Sequence, residues 1–542
     1  MDSSPSYPNA PVLLQRRALA ALCGVLFLTF LDTTIVAVAL GSVQADLQVG
    51  VVSLQWVVGA YALVFASLML PAGTIADRWG RKRLMLIGLV LFCGASLLGA
   101  LAPTVALLIA ARALMGVGAA CCEPQTLSVI RHLYPNQRTR SRALGVWAAV
   151  SGLALAAGPI LGGALVGIGS WRTVFWFNVA LGVVLFAAAA RFVPESADPQ
   201  AAELDIPGFV LAAICLGCGI FAGIAGEDAG YSTPWIILLF VISGVALIGF
   251  LIVEHRSQAP MLDLRYVREP AVGGPLLVAF ATYFGIFAIF FFTALYLQEV
   301  VGYSGFRTAA QFAPMTVAMI VGSLLAGRWV ARVGPRMPMT IGSLLAAAGL
   351  LLTEHYLTAE GNFVPLAAAL AVAGIGFGVV VVPLTSAVLS AIPAAQSGMA
   401  ASATNTSRQL GAVVGVVALG SLVNAHLTTD LTNRLAALDI PANFQSIVIA
   451  AIKDGTVPSG GKSAATAAYG PIVNQVLDAA YGAFRAGLSS ALTVSALLIF
   501  VAGIIAVLTI RPSSGPEPQP DDSARSPTNR PRWRAANRAR QP

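Results

Sequence analysis

Charged residues are scarce in this sequence. Asp, Glu, Lys and Arg together make up 10% of its 542 residues, whereas they account for about 25% of an ordinary soluble protein. This shortage excludes a soluble globular enzyme. Hydrophobic residues make up 57% and occur in repeated blocks of about 20 residues, each long enough to cross the roughly 30 Å hydrocarbon core of a bilayer as a helix. The sequence therefore predicts an all-α polytopic membrane protein.

Cysteines and cofactor motifs are missing from the aqueous segments. All six cysteines fall inside apolar spans. Cys215 and Cys218 have the spacing of a redox or zinc motif, but an isolated pair lacks the further ligands that zinc needs. The segment from Gly455 to Ser463 nearly matches a phosphate-binding loop, yet its first glycine is one position too early and no strand precedes it. We expect no metal, no cofactor and no enzymatic activity.

Hydropathy predicts fourteen membrane spans. They lie near residues 18–40, 54–76, 84–102, 105–130, 143–167, 172–192, 207–225, 234–253, 272–298, 309–331, 338–353, 364–389, 401–424 and 487–510. The first span is too long for the core of a signal peptide, so we expect it to be retained.

The spans divide the chain into five regions. A terminal segment (1–17) precedes a six-helix bundle (18–192), two inserted helices (207–253) and a second six-helix bundle (272–510). The second bundle includes an extracytoplasmic loop, 425–486, with amphipathic stretches from Phe444 to Ile452 and from Ile472 to Phe484 that predict short helices. The tail (511–542) is rich in proline and arginine and is expected to be disordered.

Lys and Arg are distributed unevenly between the two sides of the predicted membrane. If the N-terminus is cytoplasmic, the short inner segments hold seventeen of these residues and the short outer loops hold two, Arg172 and Arg307. Because positive residues are retained on the cytoplasmic side, we expect both termini to be cytoplasmic. The expected location is the inner (cell) membrane. The net charge of +8 is then a topology signal and not a sign of nucleic-acid binding.

Two segments are repeated along the chain. The stretch from Gly73 to Arg83 is echoed from Gly327 to Arg336, and the stretch from Pro124 to Ile130 is echoed from Pro383 to Leu389. Both echoes are eight spans apart, and an even offset preserves orientation. The two bundles are therefore predicted to be parallel repeats, a common design among transporters.

Six motifs in this order resemble the major facilitator superfamily, specifically its fourteen-helix drug:proton antiporter branch. They are Leu31 to Val36, Gly73 to Arg83, Arg112 to Gly118, Ala154 to Gly163, Pro260 to Asp263, and Arg408 to Gly411. The sequence departs from the branch pattern at four positions: Ala37, Gly41, Met115 and Ala154. The resemblance implies a monomeric exporter that exchanges protons for an amphipathic, lipophilic compound, often cationic, by alternating access.

Four charged residues fall within the spans, where a charge costs several kcal/mol. They are Asp32, Arg112, Glu123 and Arg408. Asp32 and Arg112 are predicted to couple transport to protons, with Arg112 acting on a carboxylate because it cannot itself release a proton. Asp32 and Glu123 are candidate substrate-binding residues. The alternatives are structural capping or pairing for Asp32, simple hydration near the inner surface for Glu123, and structural hydrogen bonding for the two arginines. The helical spacing of Arg112 and Glu123 predicts that both face one cavity, at different depths.

Three further motifs are candidates for conformational or ligand contacts. The resemblance implies a conformational latch in the first repeated segment, formed by Gly73, Asp77, Arg78, Gly80 and Arg81. Positive-inside anchoring is the alternative, but it explains only the basic residues of this segment. Small residues and a proline in span five predict a hinge or a sealed interface, or else close packing; they are Gly158, Pro159, Gly162 and Gly163. An aromatic stripe in span nine predicts ligand contact or ordinary packing; it comprises Phe280, Tyr283, Phe284, Phe287 and Phe291.

These observations favour a proton-coupled exporter of drugs. Export of an endogenous metabolite or lipid is an alternative that the sequence does not separate. An importer or a transport-inactive sensor on the same scaffold is a second alternative, although a sensor would be expected to carry an aqueous signalling domain.

Overall fold

The computed structural model describes residues 12–197, 205–257, 264–358, 363–392, 397–437, 445 and 472–510. Within these ranges every regular element is a helix. The first repeat contains α1 to α6, which are Val12–Leu47, Val51–Trp79, Arg81–Ala100, Val105–Leu133, Gln137–Ile168 and Arg172–Phe192. Two inserted helices follow, α7 (Ile206–Ala229) and α8 (Pro234–Arg256), and then a short helix, Leu264–Arg268.

The second repeat contains α9 to α14. Helix α9 is built from three consecutive parts, Pro270–Phe287, a π-helical segment at Ala288–Thr293, and Ala294–Glu299. The remaining helices are α10 to α14, at Gly305–Val333, Arg336–Tyr356, Phe363–Ala391, Ser397–Ala437 and Ile472–Thr509.

Among the described residues, thirteen helices are long and apolar enough to cross a bilayer. Helix α5, bent by 41° between Gly145–Leu155 and Ala157–Ile168, makes fourteen when its two parts are counted as one span. The predicted fold class is therefore confirmed: an all-α polytopic membrane protein with two parallel six-helix repeats and two inserted helices.

The packing of the helices repeats as the sequence does. In the first repeat α1 packs on α5, α2 on α4, and α3 on α4 and α6; in the second, α9 packs on α13, α10 on α12, and α11 on α12 and α14. Across the seam between the repeats, α5 packs on α10 and α2 on α13. Helix α7 contacts both α2 and α13, so the inserted pair lies at one end of this seam.

The first echoed segment turns at a glycine with positive φ in both repeats. Gly80 ends α2 with a φ of +112°, and Gly334 ends α10 with a φ of +77°. Positive φ is costly for any residue with a Cβ, which explains why glycine stands in register at both positions. Each glycine lets the chain turn at once into the next helix.

The predicted loop between spans thirteen and fourteen is shorter than expected. Helix α13 extends to Ala437 and α14 begins at Ile472, so the stretch from Ile472 to Phe484 is the start of α14 and not a separate short helix. Both helices continue past the ends of the predicted spans because these extensions are amphipathic and bury only one face, formed by Leu427, Leu431, Leu435, Ala479, Ala480 and Ala483. The other predicted segment, 444–452, lies outside the described residues except for Gln445.

Candidate functional site

A buried ion pair joins α1 to α4. The guanidinium of Arg112 donates to Oδ2 of Asp32, and both side chains are fully buried. The Nε of Arg112 donates to the carbonyl oxygen of Val57 on α2 at 3.0 Å. The guanidinium also lies over the ring of Tyr61, 4.4 Å from the ring centroid. The two residues that the sequence assigns to proton coupling are therefore in direct contact.

Asn178 of α6 completes this cluster, and sequence reasoning missed it. Its amide nitrogen donates to Oδ1 of Asp32 at 2.7 Å, so both carboxylate oxygens of Asp32 have protein partners. The amide oxygen of Asn178 is buried without a hydrogen-bond partner among the described residues. A substrate would have to displace Arg112 or Asn178 to reach Asp32. The available signal was an amide side chain in the middle of an apolar span.

A second buried polar cluster lies between the two repeats. Glu123 of α4 accepts a hydrogen bond of 2.6 Å through Oε1 from the amide nitrogen of Asn405 on α13. Its Oε2 is buried and has no partner within the described ranges. Arg408, one turn further along α13, donates to the amide oxygen of Asn405 at 3.2 Å. The Asn405 amide thus stands between a carboxylate of the first repeat and a guanidinium of the second.

The hydrogen-bond partners of Arg408 among the described residues are uncharged. Besides Asn405, its guanidinium donates to the hydroxyl of Thr385 at 2.7 Å and to the carbonyl oxygen of Val381 at 3.5 Å. Its Nε has no partner in the part of the chain that the structure describes. The guanidinium carbon lies 5.5 Å from the ring centroid of Tyr283, whose hydroxyl is likewise buried without a described partner.

Arg112 and Glu123 belong to different clusters. Arg112 contacts α1 and α2 through Asp32 and Val57, whereas Glu123 contacts α13 through Asn405. The spacing argument predicted that both side chains face one cavity at different depths, and this stays a prediction. Helical periodicity gives a direction around one helix, but it does not identify the neighbours that lie in that direction at each depth.

The aromatic stripe of α9 is buried within the protein. Tyr283, Phe284, Phe287 and Phe291 each expose 5% or less of their surface. The rings of Phe280 and Phe284 are 6.2 Å apart. These contacts match the packing interpretation, and ligand contact by Phe284, Phe287 and Phe291 stays a prediction. The adjoining π-helical segment, Ala288–Thr293, is a feature that often marks functional regions of helices.

The predicted latch residues lie where α2 turns into α3. Asp77 forms an ion pair of 2.8 Å with Arg81, four residues along the chain. Both the backbone and the guanidinium of Arg81 donate to Ser196, which follows α6. Arg78 is exposed, and Gly73 faces Pro124 of α4. These contacts of Asp77 and Arg81 lie within the first repeat, and the latch function remains a prediction.

Glu195, which sequence reasoning also missed, holds the first turn of α3. Its two carboxylate oxygens accept hydrogen bonds from the backbone nitrogens of Lys82 and Arg83 at 3.1 and 3.2 Å. A carboxylate is favourable there because the first amides of a helix lack intrahelical acceptors. A Cβ added at Gly80 would lie 2.7 Å from Oε1 of Glu195. Glycine at this position is thus required by the close approach as well as by its φ.

Proline in α5 frees a carbonyl that α1 then satisfies. Pro159 has no N–H to donate to the carbonyl oxygen of Leu155, four residues earlier. The hydroxyl of Thr34 on α1 donates to that oxygen at 3.0 Å. Since an unpaired carbonyl inside a bilayer costs several kcal/mol, Thr34 makes the bend in α5 possible.

The three glycines around Pro159 let α5 approach two helices. A Cβ added at Gly158 would collide with the side chain of Thr34, and one at Gly162 would lie 2.5 Å from the carbonyl oxygen of Ile35. On the other side, a Cβ at Gly163 would collide with Ala309 of α10. These positions therefore seal α5 against α1 and α10, while hinge motion there remains a prediction.

The inserted helices are tied to both repeats by one carboxylate. Glu227 of α7 accepts hydrogen bonds from Gln55 on α2 at 3.4 Å and from Ser421 and Asn424 on α13 at 3.0 and 3.3 Å. Tyr231 contacts Ser421 from the same side. Sequence reasoning missed this cluster, because Glu227 stands at the end of a span, where a hydrated carboxylate is common.

Comparison with known proteins identifies relatives along most of the chain. The sequence model of the Major Facilitator Superfamily matches residues 22–416. The chain is 32% identical over 430 residues to multidrug resistance protein Stp of Mycobacterium tuberculosis, covering 79% of each chain. It is 31% identical over 516 residues to multidrug efflux pump LfrA of Mycolicibacterium smegmatis, covering 94% of this chain and 99% of LfrA. It is also 33% identical to the methylenomycin A resistance protein of Streptomyces coelicolor, covering 74% of this chain and 83% of the relative.

Solved structures share the fold. A bacterial homologue of the human lysosomal transporter Spinster, in an inward-facing and occupied conformation, superimposes with a TM-score of 0.62 at 17% identity, covering 92% of this chain and 98% of that chain. The human organic anion transporter MFSD10 superimposes with a TM-score of 0.56 at 15% identity, covering 92% of this chain and all of that one. At these identities the likeness concerns the helical architecture alone.

Proposed function

The chain belongs to the major facilitator superfamily, and on that premise we propose that it exports amphipathic, cationic or otherwise lipophilic drugs in exchange for protons. Relatives that are named for multidrug efflux and antibiotic resistance support drug export. We further propose that the protein acts as a monomer in the cell membrane, with both termini in the cytoplasm, as the seventeen-to-two distribution of basic residues favours.

The burial of Glu123 is the observation that best supports this proposal. Glu123 is a fully buried carboxylate at the seam between the repeats, and one of its oxygens has no protein partner among the described residues. A buried carboxylate is costly unless its charge is matched. A cationic substrate or a proton supplies that match, so the two ligands compete for one group, which is the requirement for exchange.

Asp32 and Arg112 are proposed to transmit proton binding to the helices. A proton on Asp32 removes the charge that holds Arg112, and Arg112 links α4 to α2 through Val57 and to α1 through Asp32. Protonation therefore changes the relative stability of two helix arrangements within the first repeat. A ligand shifts such an equilibrium only by its difference in affinity for the two states.

The movement itself is assigned to the seam. Close contacts of α5 with α1 and α10 at Gly158, Gly162 and Gly163 permit the repeats to pack tightly on one side of the membrane. The segment at Asp77 and Arg81, at the proposed cytoplasmic end of α2, is assigned to latching the outward-open state. The bundles 18–192 and 272–510 are then the two rocking units.

The experiment is ethidium transport in everted membrane vesicles, in which the cytoplasmic face is outside. Acidifying the lumen should drive ethidium inward, and collapsing the pH gradient with nigericin should stop accumulation. Vesicles without the protein and vesicles carrying Glu123→Gln are the controls, and the variant should accumulate much less dye. Accumulation that survives gradient collapse would refute proton exchange, and absence of transport would refute export of this class of compound.

A further inference from the structure

Arg408 is a buried cation that makes no direct ion pair with any described residue. Its side chain is 1% exposed, and its hydrogen-bond partners among the described residues are the neutral groups of Asn405, Thr385 and Val381. Arg112, the other buried guanidinium, is paired directly with Asp32. Removing a charge from water is costly unless an opposite charge compensates it. Arg408 therefore faces an opposite charge only across the Asn405 amide, whereas Arg112 touches its carboxylate directly.

Glu123 presents the complementary deficiency on the other side of Asn405. The Asn405 amide donates to Glu123 and accepts from Arg408, so it links the opposite charges and keeps them from pairing directly. Three polar atoms of the residues on either side of this amide are buried and have no partner within the described part of the chain: Oε2 of Glu123, Nε of Arg408 and the hydroxyl of Tyr283, whose ring centroid lies 5.5 Å from the Arg408 guanidinium. Buried polar groups in proteins are nearly always hydrogen-bonded, so one acceptor and two donors are left here for a partner outside the described residues.

We propose that these four residues, Glu123, Asn405, Arg408 and Tyr283, form a bipolar binding site for amphoteric compounds that carry both a cationic amine and a carboxylate. The amine pairs with Glu123, while the carboxylate accepts from Arg408 and the Tyr283 hydroxyl. The inference rests on the proposed export function and narrows its substrate class.

Charge complementarity separates this proposal from a simple cation site. A substrate with only a positive charge gains from Glu123 but is repelled by Arg408, and a substrate with only a negative charge meets the reverse. An amphoteric substrate satisfies both groups at once, and hydrogen bonds to charged groups are stronger than neutral ones. The site therefore discriminates by charge pattern and not by net charge.

Rhodamine B and its ethyl ester provide a matched test. Rhodamine B carries a xanthylium cation and a carboxylate, whereas the ester keeps the cation and loses the anion. Equilibrium binding of each dye to the purified full-length protein in detergent is measured by fluorescence polarisation. A site governed by Glu123 alone prefers the ester. The bipolar site prefers the acid by about tenfold, the effect of one charged hydrogen bond.

Two variants assign that preference to residues. Arg408→Gln should lower the affinity for rhodamine B and so bring the affinity ratio of the two dyes close to one. Tyr283→Phe should lower the affinity for rhodamine B about fivefold, as loss of one hydrogen bond does, and should leave the affinity for the ester unchanged. Because the Tyr283 hydroxyl has no described protein partner, a purely structural role predicts no change in either dye. Arg307→Gln, at an exposed position, removes a charge elsewhere and should keep the wild-type ratio.

The binding measurement tests the bipolar site, and the transport measurement tests the proposed export function, so the two can fail independently. Equal or tighter binding of the ester by the wild type, or an unchanged ratio in both variants, overturns the bipolar site even if everted vesicles accumulate cationic dyes. A tenfold preference for the acid that Arg408→Gln abolishes and Tyr283→Phe reduces about fivefold supports the site. If that preference is found while vesicles accumulate neither dye under a pH gradient, the bipolar site stands and the export function fails.

Discussion

Asp32→Asn tests whether the pair with Arg112 serves structure, proton coupling or both. Asparagine has nearly the same shape and can still accept from Arg112. Its new NH2 group would face the amide nitrogen of Asn178, but the Asn178 oxygen is free of described partners, so a flip of that amide restores the hydrogen bond. The substitution therefore removes the charge of Asp32 and little else.

The cost follows from the uncompensated guanidinium. Two opposite charges about 4 Å apart interact by about 4 kcal/mol at an effective dielectric constant of about 20, and removing one partner of a buried pair typically costs about 3–5 kcal/mol. Arg112 keeps the carbonyl of Val57 and the ring of Tyr61, which places the expected loss near the lower end, about 3 kcal/mol. Unfolding of the purified protein by SDS, followed by tryptophan fluorescence, measures it.

The double variant Asp32→Asn with Arg112→Gln separates the two roles. It replaces the ion pair by neutral groups and should recover much of the stability, because no buried charge is left alone. If Asp32 couples protons, this stable variant still fails to accumulate ethidium against its gradient in vesicles. Stability of Asp32→Asn equal to that of the wild type would refute the electrostatic reasoning, and uphill transport by the double variant would refute proton coupling through Asp32.

Three further outcomes are expected. Thr34→Val leaves the Leu155 carbonyl without its donor and should cost about 1–3 kcal/mol of stability in the SDS assay, whereas Thr34→Ser should cost much less; equal losses contradict the proline argument. Asp77→Asn should leave stability within about 1 kcal/mol, since the pair with Arg81 is partly exposed, yet slow export; unchanged export means that Asp77 is not a latch. Glu123→Gln should weaken export of dications more than of neutral compounds in everted vesicles, and equal loss of both points to coupling or folding.

The fold was predictable because the bilayer imposes it. Spans of about 20 apolar residues form helices regardless of their partners, and the echo of Gly80 at Gly334 marked the repeat. The ends of α13 and α14 were not predictable from hydropathy, because their extensions bury one face against each other and expose polar residues on the other. Helix existence is a local property, but helix length here depends on a tertiary contact.

The candidate sites were predictable in part for the same reason. Asp32, Arg112, Glu123 and Arg408 stood out because charge in an apolar span is rare and costly. Their partners did not stand out, since Asn178 lies 146 residues from Asp32 and Asn405 lies 282 residues from Glu123 along the chain. No periodicity connects such positions, and only the packed structure brings them together.

The contact of Glu195 with α3 bears on how the chain is assembled during synthesis. The backbone amide of Arg83 donates a hydrogen bond to the carboxylate of Glu195, 112 residues further along the chain, and α3 to α6 lie between the two groups. While the nascent chain is shorter than this, the first turn of α3 has no side chain of its own to accept those hydrogen bonds. Glu195 and Ser196 arrive together just after α6, before the inserted helices have been translated. All the residues that make these hydrogen bonds between the start of α3 and the end of α6 are therefore present once the first repeat has been synthesised. This lets the first repeat fold as a unit ahead of the rest of the chain.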